Sequence, residues 1–198
     1  MMLIEETTIA LAALPVQAFK AHLRLGSGFA EDGVQDAVLE GFLRAAIAAI
    51  EARTGKILIR RAFSWSLTCW RSPEGQVLPV APVVDVTEVR LTDASGTETV
   101  LAATSYRLAA DAQRPRVVPV AGLLPGVPTG GSVQIAFTAG YAQDFDGLPA
   151  DLAQAVLLLA AHYYEYRDET SLSAGCMPFG VTSLIERYRM VRMFGGRA

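Results

Sequence analysis

The residue types that most often perform catalysis or bind metals are scarce in this chain. Its two histidines, His22 and His162, start no metal-binding spacing and stand in no triad order. His162 follows the apolar run of a predicted helix and precedes two tyrosines, where packing at an interface or a shared hydrogen bond is its expected role. Cys69 and Cys176 lie far apart and fit no metal spacing, which favours free thiols in a reducing compartment.

Carboxylates and glycine-bearing loops also fail to complete a binding motif. Asp144, Asp146 and Asp151 surround a glycine, but they lack the regular alternation and the late glutamate of a calcium loop. The glycines within residues 26–28 and 129–132 come without the lysine of a phosphate-binding loop. The sequence therefore predicts no catalytic residue, no metal site and no cofactor.

Composition favours a protein with extensive subunit contacts. The chain has 198 residues, enough for one domain with its own core. Charged residues make up 19% of it, against about 25% in an ordinary soluble domain; a simple excess of alanine is the alternative explanation. The net charge of −3 argues against nucleic-acid binding. The first residues lack the basic start and apolar run of a signal peptide, so we expect a cytoplasmic protein.

A helix over residues 149–167 is expected to lie at the centre of a helical core. Pro149 suits its first turn, and Asp151 places a negative charge near its positive end. The apolar run at residues 155–161 is far too short to cross a membrane. Apolar side chains recur at three- and four-residue spacing on one face: Leu152, Val156, Leu159, Tyr163 and Tyr166. In all, four helices are predicted, near residues 15–25, 34–53, 149–167 and 181–194.

The second predicted helix, residues 34–53, is rich in alanine. Several of these alanines are small enough to let a neighbouring helix approach closely, which suits packing between subunits. The periodicity assigns its apolar face to Val34, Val38, Phe42, Ala45, Ile47, Ala49 and Ile50. Gly55 fits the left-handed position that ends such a helix.

Between the second and third helices the apolar periodicity changes to that of strands. Residues 57–141 are predicted to form an antiparallel β insertion, so the expected fold class is α+β. The clearest strand is at 132–141, where alternate apolar residues share one face. Prolines mark residues 77–83 and 114–119 as edge-type extended segments. Residues 1–14 are interpreted as a short lead.

Nine short motifs follow one another in order along nearly the whole chain. They are a Pro-led helix near 15–25, Arg-Thr-Gly-Lys at 53–56, a Trp-bearing strand at 63–70, Pro-Val-Val-Asp-Val-Thr-Glu-Val at 82–89, Tyr-Arg-Leu at 106–108, Ile-Ala-Phe-Thr-Ala-Gly-Tyr at 135–141, Leu-Pro-Ala-Asp-Leu at 148–152, Tyr-Tyr-Glu-Tyr-Arg-Asp at 163–168, and Pro-Phe-Gly-Val at 178–181 with Leu-Ile-Glu-Arg-Tyr-Arg at 184–189. In this order and spacing the chain resembles the head–tail connector (adaptor, or head-completion) proteins of long-tailed phages, prophages and gene transfer agents.

The resemblance implies a structural protein and not an enzyme. Such proteins form a ring, typically of twelve subunits, beneath the portal of a filled head; the ring extends the DNA channel and offers a docking surface for the tail. The implied partners are the portal protein, the next tail or stopper protein, and further copies of the chain. DNA would pass through without sequence-specific binding, and no membrane is involved. The expected location is the neck of a phage-like particle assembled in the bacterial cytoplasm, with the whole chain, residues 1–198, as one adaptor domain.

The resemblance also assigns a portal-binding role to the C-terminal segment, residues 181–198. That segment is locally basic, in contrast to the acidic average of the chain. Its arginines are suited to pair with carboxylates on a partner. The candidate portal-binding residues are Leu184, Arg187, Tyr188, Arg189, Val191, Arg192, Met193, Phe194 and Arg197.

An acidic chain also suits the wall of a DNA channel, because a basic wall would bind phosphates and hold the DNA back. The candidate channel-lining residues are Glu31, Asp32, Asp36 and Glu40, with Asp144 and Asp146 as further candidates. Two other functions stay open from the sequence alone: a small soluble binding or regulatory domain with no role in a virion, and an enzyme whose site the sequence does not reveal.

Overall fold

The chain, analysed as a computed structural model, divides into two compact units. The structure describes residues 2–25, 35–167 and 177–189. One unit, called the β unit here, comprises Met1–Ile9 and Ile59–Gln143. The other, the helical unit, comprises Ala10–Leu58 and Asp144–Ala198. The predicted α+β class is confirmed, while a single adaptor domain over residues 1–198 stays a prediction.

The β unit contains two antiparallel sheets. Its strands, among the described residues, are β1 (Met2–Glu5), β2 (Arg61–Leu67), β3 (Gln76–Val77), β4 (Val83–Thr92), β5 (Glu98–Val100), β6 (Tyr106–Ala109), β7 (Arg116–Pro119) and β8 (Ser132–Ala139). One sheet has the order β1-β2-β8-β4-β5, and the other has the order β3-β7-β6. The inward side chains of β2, β4 and β8 are buried and form the core of this unit.

β8 is the middle strand of the larger sheet, paired with β2 on one side and β4 on the other. Buried and half-buried residues alternate along its whole length. Val133, Ile135 and Phe137 lie in the core, so the strand and its predicted face are confirmed. Phe137 stacks on Phe63 of β2 with ring centroids 5.7 Å apart. The strand therefore follows the alternation that a half-buried strand requires.

Two strands lie where the sequence did not predict them. β1 falls within the lead assigned to residues 1–14, and it pairs with β2 at the edge of the larger sheet. Residues 114–119 were expected at an edge, but β7 is the middle strand of the smaller sheet, so that prediction is wrong. Pro115 precedes β7 and Pro119 ends it, so neither proline removes a donor from the middle of the strand. Of the segment 77–83, also expected at an edge, Val77 lies in the edge strand β3, whereas Val83 already belongs to β4, an inner strand of the larger sheet.

The helical unit is built around one helix, as predicted. Its helices, among the described residues, are α1 (Val16–His22), α2 (Asp36–Thr54), α3 (Ala150–Glu165) and α4 (Phe179–Ile185). α3 contacts α1, α2 and α4. Leu152, Val156 and Leu159 are buried on the predicted face, while Tyr163 is half-buried and Tyr166 is exposed. The buried face of α3 therefore ends before its last turn.

The face that α2 buries differs from the predicted one. Its core contacts come from Leu39, Leu43, Ala46, Ile47 and Ile50. Of the predicted face, only Ile47 and Ile50 are buried; Val38 and Ala45 are exposed, Phe42 and Ala49 are half-buried, and Val34 lies outside the described residues. The assignment failed because α2 is apolar on both sides, so that periodicity alone does not identify the inner side.

One glycine follows α2, and another follows β8. Gly55 follows α2 with φ +68°, and its N–H donates to the carbonyl of Glu51 at 2.8 Å, which confirms the predicted left-handed end of the helix. Gly140 follows β8 with φ +140°. A Cβ at Gly140 would lie 2.6 Å from backbone atoms of Arg60, so the close passage of the two chain segments requires glycine.

The last helix is shorter than predicted. α4 begins at Phe179 and ends at Ile185, and a 3-10 turn, Glu186–Tyr188, follows it. Arg189 is already extended, with φ −66° and ψ 137°. A helix that continues to residue 189 is therefore wrong, and residues 190–194 of that prediction lie outside the described residues.

Candidate functional site

Three side chains tie the end of the described chain to the start of α3. Asp151 lies in the first turn of α3, where Pro149 occupies the N-cap. Its Oδ1 accepts a hydrogen bond from Tyr188 Oη at 2.7 Å, and its Oδ2 lies 2.7 Å from Arg187 Nη2. The same nitrogen of Arg187 donates to Tyr188 Oη at 2.6 Å. Asp151, Arg187 and Tyr188 are called the Asp151 cluster below.

Hydrogen bonds and the charge of Arg187 stabilise the ionised form of Asp151 against the opposing effect of burial. Burial pushes the pKa of the Asp151 carboxyl upward, but hydrogen bonds from Tyr188 and the Leu152 N–H, with the charge of Arg187, hold that pKa below its ordinary value. Burial and the hydrogen bond to Asp151 raise the pKa of the Tyr188 hydroxyl. The carboxylate also lies at the positive end of the α3 dipole. At neutral pH the cluster therefore pairs a carboxylate with a guanidinium and a protonated phenol.

The structure separates the predicted portal-binding residues into different environments. Arg187 and Tyr188 belong to the Asp151 cluster, and Tyr188 is only 8% exposed. Leu184 is half-buried, and Arg189 is exposed with its Nη1 3.0 Å from a carboxylate oxygen of Glu186. The other predicted residues lie outside the described part of the chain: Val191, Arg192, Met193, Phe194 and Arg197. Arg187 and Tyr188 thus contact the helical unit itself.

The predicted channel-lining carboxylates that the structure describes have cationic neighbours. Asp36 forms an ion pair with the buried Lys20 at 2.5 Å. Glu40 pairs with Arg44, one turn later on α2, at 2.6 Å. Both pairs lower the negative charge that these residues present to solvent. Glu31 and Asp32 lie outside the described residues. The Oδ1 of Asp144 accepts the N–H of Gly147 in a 3-10 turn, and Asp146 is exposed in the same turn.

The histidines and cysteines do not converge on a site in the described residues. His162 packs against Tyr166, with ring centroids 4.7 Å apart, while the interface contact or shared hydrogen bond expected for it stays a prediction. Cys69 is an exposed free thiol, and Cys176 lies outside the described residues. Within residues 2–25, 35–167 and 177–189, no group of three His, Cys, Asp or Glu side chains is arranged to hold a metal ion. No helix in that part of the chain has the length and apolar character needed to cross a membrane.

Sequence reasoning predicted packing between subunits for the alanine-rich α2, but it did not locate the surface that points away from the core. Its six residues are all exposed and all uncharged: Ala37, Val38, Gly41, Ala45, Ala48 and Ala52. They are called the outward face of α2 below. A signal for it exists in the sequence, because small and apolar residues recur at helical spacing beside the charged row formed by Glu40, Arg44 and Glu51.

Solved structures with high similarity to the whole chain are parts of gene transfer agent particles. A chain from the neck of an empty gene transfer agent (GTA) particle, computed with C6 symmetry, is 55% identical and has a TM-score of 0.89. A chain from the virion of a native GTA particle is 54% identical, with a TM-score of 0.86. A chain from the neck of a native GTA particle, computed with C12 symmetry, is 50% identical, with a TM-score of 0.84. In each pair the match covers 100% of both chains.

Comparison by sequence adds no further relative. No protein-family model matches the chain, and a search of the curated proteins finds no match either. The relationship therefore rests on full-length identity and on shared structure.

Proposed function

This chain belongs to the head–tail connector family of phages and gene transfer agents, and we propose that it is a structural neck protein that forms a ring of twelve subunits beneath the portal. One observation carries the proposal: full-length identity of 50–55% to chains of GTA particles, two of them from necks computed with C6 and C12 symmetry. The chain would act without cofactor or turnover.

The ring would continue the channel through which DNA leaves the head. DNA has to slide through it, and an acidic chain with a net charge of −3 binds phosphates weakly. The proposed wall residues are Glu31, Asp32, Asp36 and Glu40. Because Asp36 and Glu40 carry ion pairs to Lys20 and Arg44, they give a wall that neither attracts nor strongly repels the passing strands. The lower end of the ring would receive the next tail or stopper protein.

The C-terminal segment, residues 181–198, is the proposed contact with the portal, and the Asp151 cluster gives it a fixed base. Tyr188 is buried and hydrogen-bonded to Asp151, so its role would be to hold the segment rather than to touch the portal. Arg189 is exposed and is the first residue beyond the cluster. The contact itself would come from Arg189 and the basic, apolar residues that follow it. The protein would act in the neck of a particle assembled in the bacterial cytoplasm.

A truncation after Arg189 tests the portal contact without removing the Asp151 cluster. We expect the truncated chain to keep the circular dichroism spectrum and the unfolding midpoint of the full chain. It should fail to co-sediment with portal-bearing particles that lack this protein, whereas the full chain should co-sediment. Co-sedimentation of the truncated chain at the level of the full chain would assign the contact to another surface.

The association behaviour of the full chain also distinguishes a neck protein from a regulatory domain. A regulator would form a stable small oligomer alone and would not associate with portal-bearing particles. That result for the full chain would refute the neck role. The mass of the purified chain, measured with and without such particles, distinguishes the two outcomes.

A further inference from the structure

The outward face of α2 lacks the charged residues that a solvent-facing helix surface normally carries. At 100° per residue, Ala37, Val38, Gly41, Ala45, Ala48 and Ala52 fall on one side of the helix, opposite Leu39, Leu43 and Ile50. The face runs for about 22 Å, at about 1.5 Å per residue. A helix that is apolar on both sides is normally covered on both sides. All six residues are exposed, so none of the described residues covers this face.

Three charged side chains of α2, Glu40, Arg44 and Glu51, form polar contacts along one flank of this face. Glu40 and Arg44 pair with one another. Glu51 Oε1 accepts the backbone N–H of Leu58 at 2.7 Å. These contacts hold the charges beside the outward face and leave the face itself uncharged. It is therefore unsuited to bind DNA phosphates, which require cationic side chains, and is suited to an apolar partner.

The apolar surface continues from α2 onto the end of α3. The half-buried ring of Phe42 meets Tyr164 edge-to-face, with centroids 6.0 Å apart and an interplanar angle of 85°. The guanidinium of Arg167 lies 5.1 Å from the centroid of the Tyr164 ring. Phe, Tyr and Arg are enriched at protein–protein interfaces. The feature is thus larger than a stripe of small residues and ends in side chains typical of an interface.

We propose that the outward face of α2, with Phe42 and Tyr164, is buried against a second copy of this chain in the ring. This inference rests on the proposed function. A cyclic ring uses heterologous contacts, in which one face of a subunit meets a different face of its neighbour. The chain carries a large exposed apolar side chain on another helix, Phe179 of α4 (87% exposed), which a neighbouring copy can place on this face. Glycine and alanine let the two backbones approach closely.

Gly41 allows a test that does not weaken the isolated chain. A Cβ at Gly41 would meet nothing within 4 Å, and leucine favours a helix more than glycine does. Gly41→Leu should therefore unfold at the same or a higher denaturant concentration than wild type. In the ring its side chain would hold the neighbouring copy away. We expect occupancy of the neck, measured as copies per particle, to fall at least about tenfold, because a loss of about 1.4 kcal/mol per contact already gives that factor.

Gly126→Leu is the matched control. Gly126 is exposed in a loop of the β unit and also has open space around a Cβ, so this variant should occupy the neck like wild type. If Gly41→Leu fails to fold, Ala45→Glu replaces it, because a carboxylate buried without a partner blocks the contact by charge. Full occupancy by the folded variant would overturn the inference and leave the neck role standing. Absence of wild type from the neck would overturn both.

A photo-crosslinking residue at position 48 identifies the partner. In assembled particles it should give a product of twice the chain mass. A product that contains only the portal or a tail protein would assign the face to that partner and refute contact between copies.

Discussion

β8 of the β unit and α2 of the helical unit are buried in different ways. In β8, core residues such as Phe137 alternate with half-buried small or polar residues, so the strand has one side for the core. In α2, Leu43 faces the core while Val38, on the other side, is apolar and 50% exposed. An element whose side away from the core is polar needs only the core as a packing partner. An element whose side away from the core is apolar needs a second packing partner. The comparison locates the proposed subunit contact on the helical unit.

Truncation of core-facing side chains in β8 and α2 should have the largest effect on the free energy of unfolding. Phe137→Ala should lower the free energy of unfolding by about 3–5 kcal/mol, and Leu43→Ala by about 2–5 kcal/mol, because both side chains are almost fully buried and each change leaves a cavity. Val38→Ala, the matched control on the outward face, should cost less than about 0.5 kcal/mol. Denaturant unfolding of the purified chain measures all three. Equal losses at Val38 and Leu43 would show that α2 has no free side.

Alanine substitutions at the glycines that follow β8 and α2 should differ by a smaller amount in their cost to the free energy of unfolding. Gly140→Ala should cost about 3 kcal/mol or more, because its Cβ would collide with the backbone of Arg60 as well as strain φ. Gly55→Ala meets no atom within 4 Å and should cost only the left-handed strain, about 1–2 kcal/mol. Thermal unfolding compares the two variants directly. A cost at Gly55 that matches the cost at Gly140 would mean that φ alone, and not crowding, governs both sites.

Acid should weaken the helical unit through the Asp151 cluster, with the smallest effect of the three. The folded pKa of Asp151 is lowered, so its contribution is complete above the ordinary aspartate pKa of about 3.9. It is lost as pH falls through the lower folded pKa. Asp151→Asn should cost about 1 kcal/mol at pH 7, because Arg187 is largely exposed and water screens much of the pair.

Unfolding of wild type and Asp151→Asn at pH 7 and in acid measures this contribution. The difference between them should shrink below about pH 4. Tyr188→Phe removes the donor of the same hydrogen bond, so its cost should not add to that of Asp151→Asn. A difference that persists unchanged in acid would show that the charge of Asp151 has no part in the effect.

The sequence predicted a helix or strand correctly where one of its sides is polar or where its apolar run is long. β8 and α3 satisfy these conditions, and their core sides were assigned correctly except at Tyr163 and Tyr166. β1 was missed because Met2, Leu3 and Ile4 do not alternate and because its partner strand, β2, begins more than fifty residues later. β7 was placed at an edge because its two prolines were counted without regard to their position at the ends of the strand.

The candidate surfaces were predictable only where they follow from local pattern. The basic C-terminal segment is visible in the sequence. The burial of Tyr188 is not, because its partner Asp151 lies 37 residues earlier and no local pattern links the two. The alanines of α2 were predicted to suit packing between subunits, but the outward face was not located, because Val38 and Ala45 were assigned to the apolar core face.

The two units are interleaved along the chain, since it passes between them at 9/10, 58/59 and 143/144. Neither unit is therefore complete until much of the other has been synthesised. β1 is synthesised before its partner β2 and has to wait for it, and α2 has to wait for α3, its partner about a hundred residues later. Such late, non-local partners slow folding and leave apolar surfaces open during translation. No single cut in this polypeptide can release either unit intact.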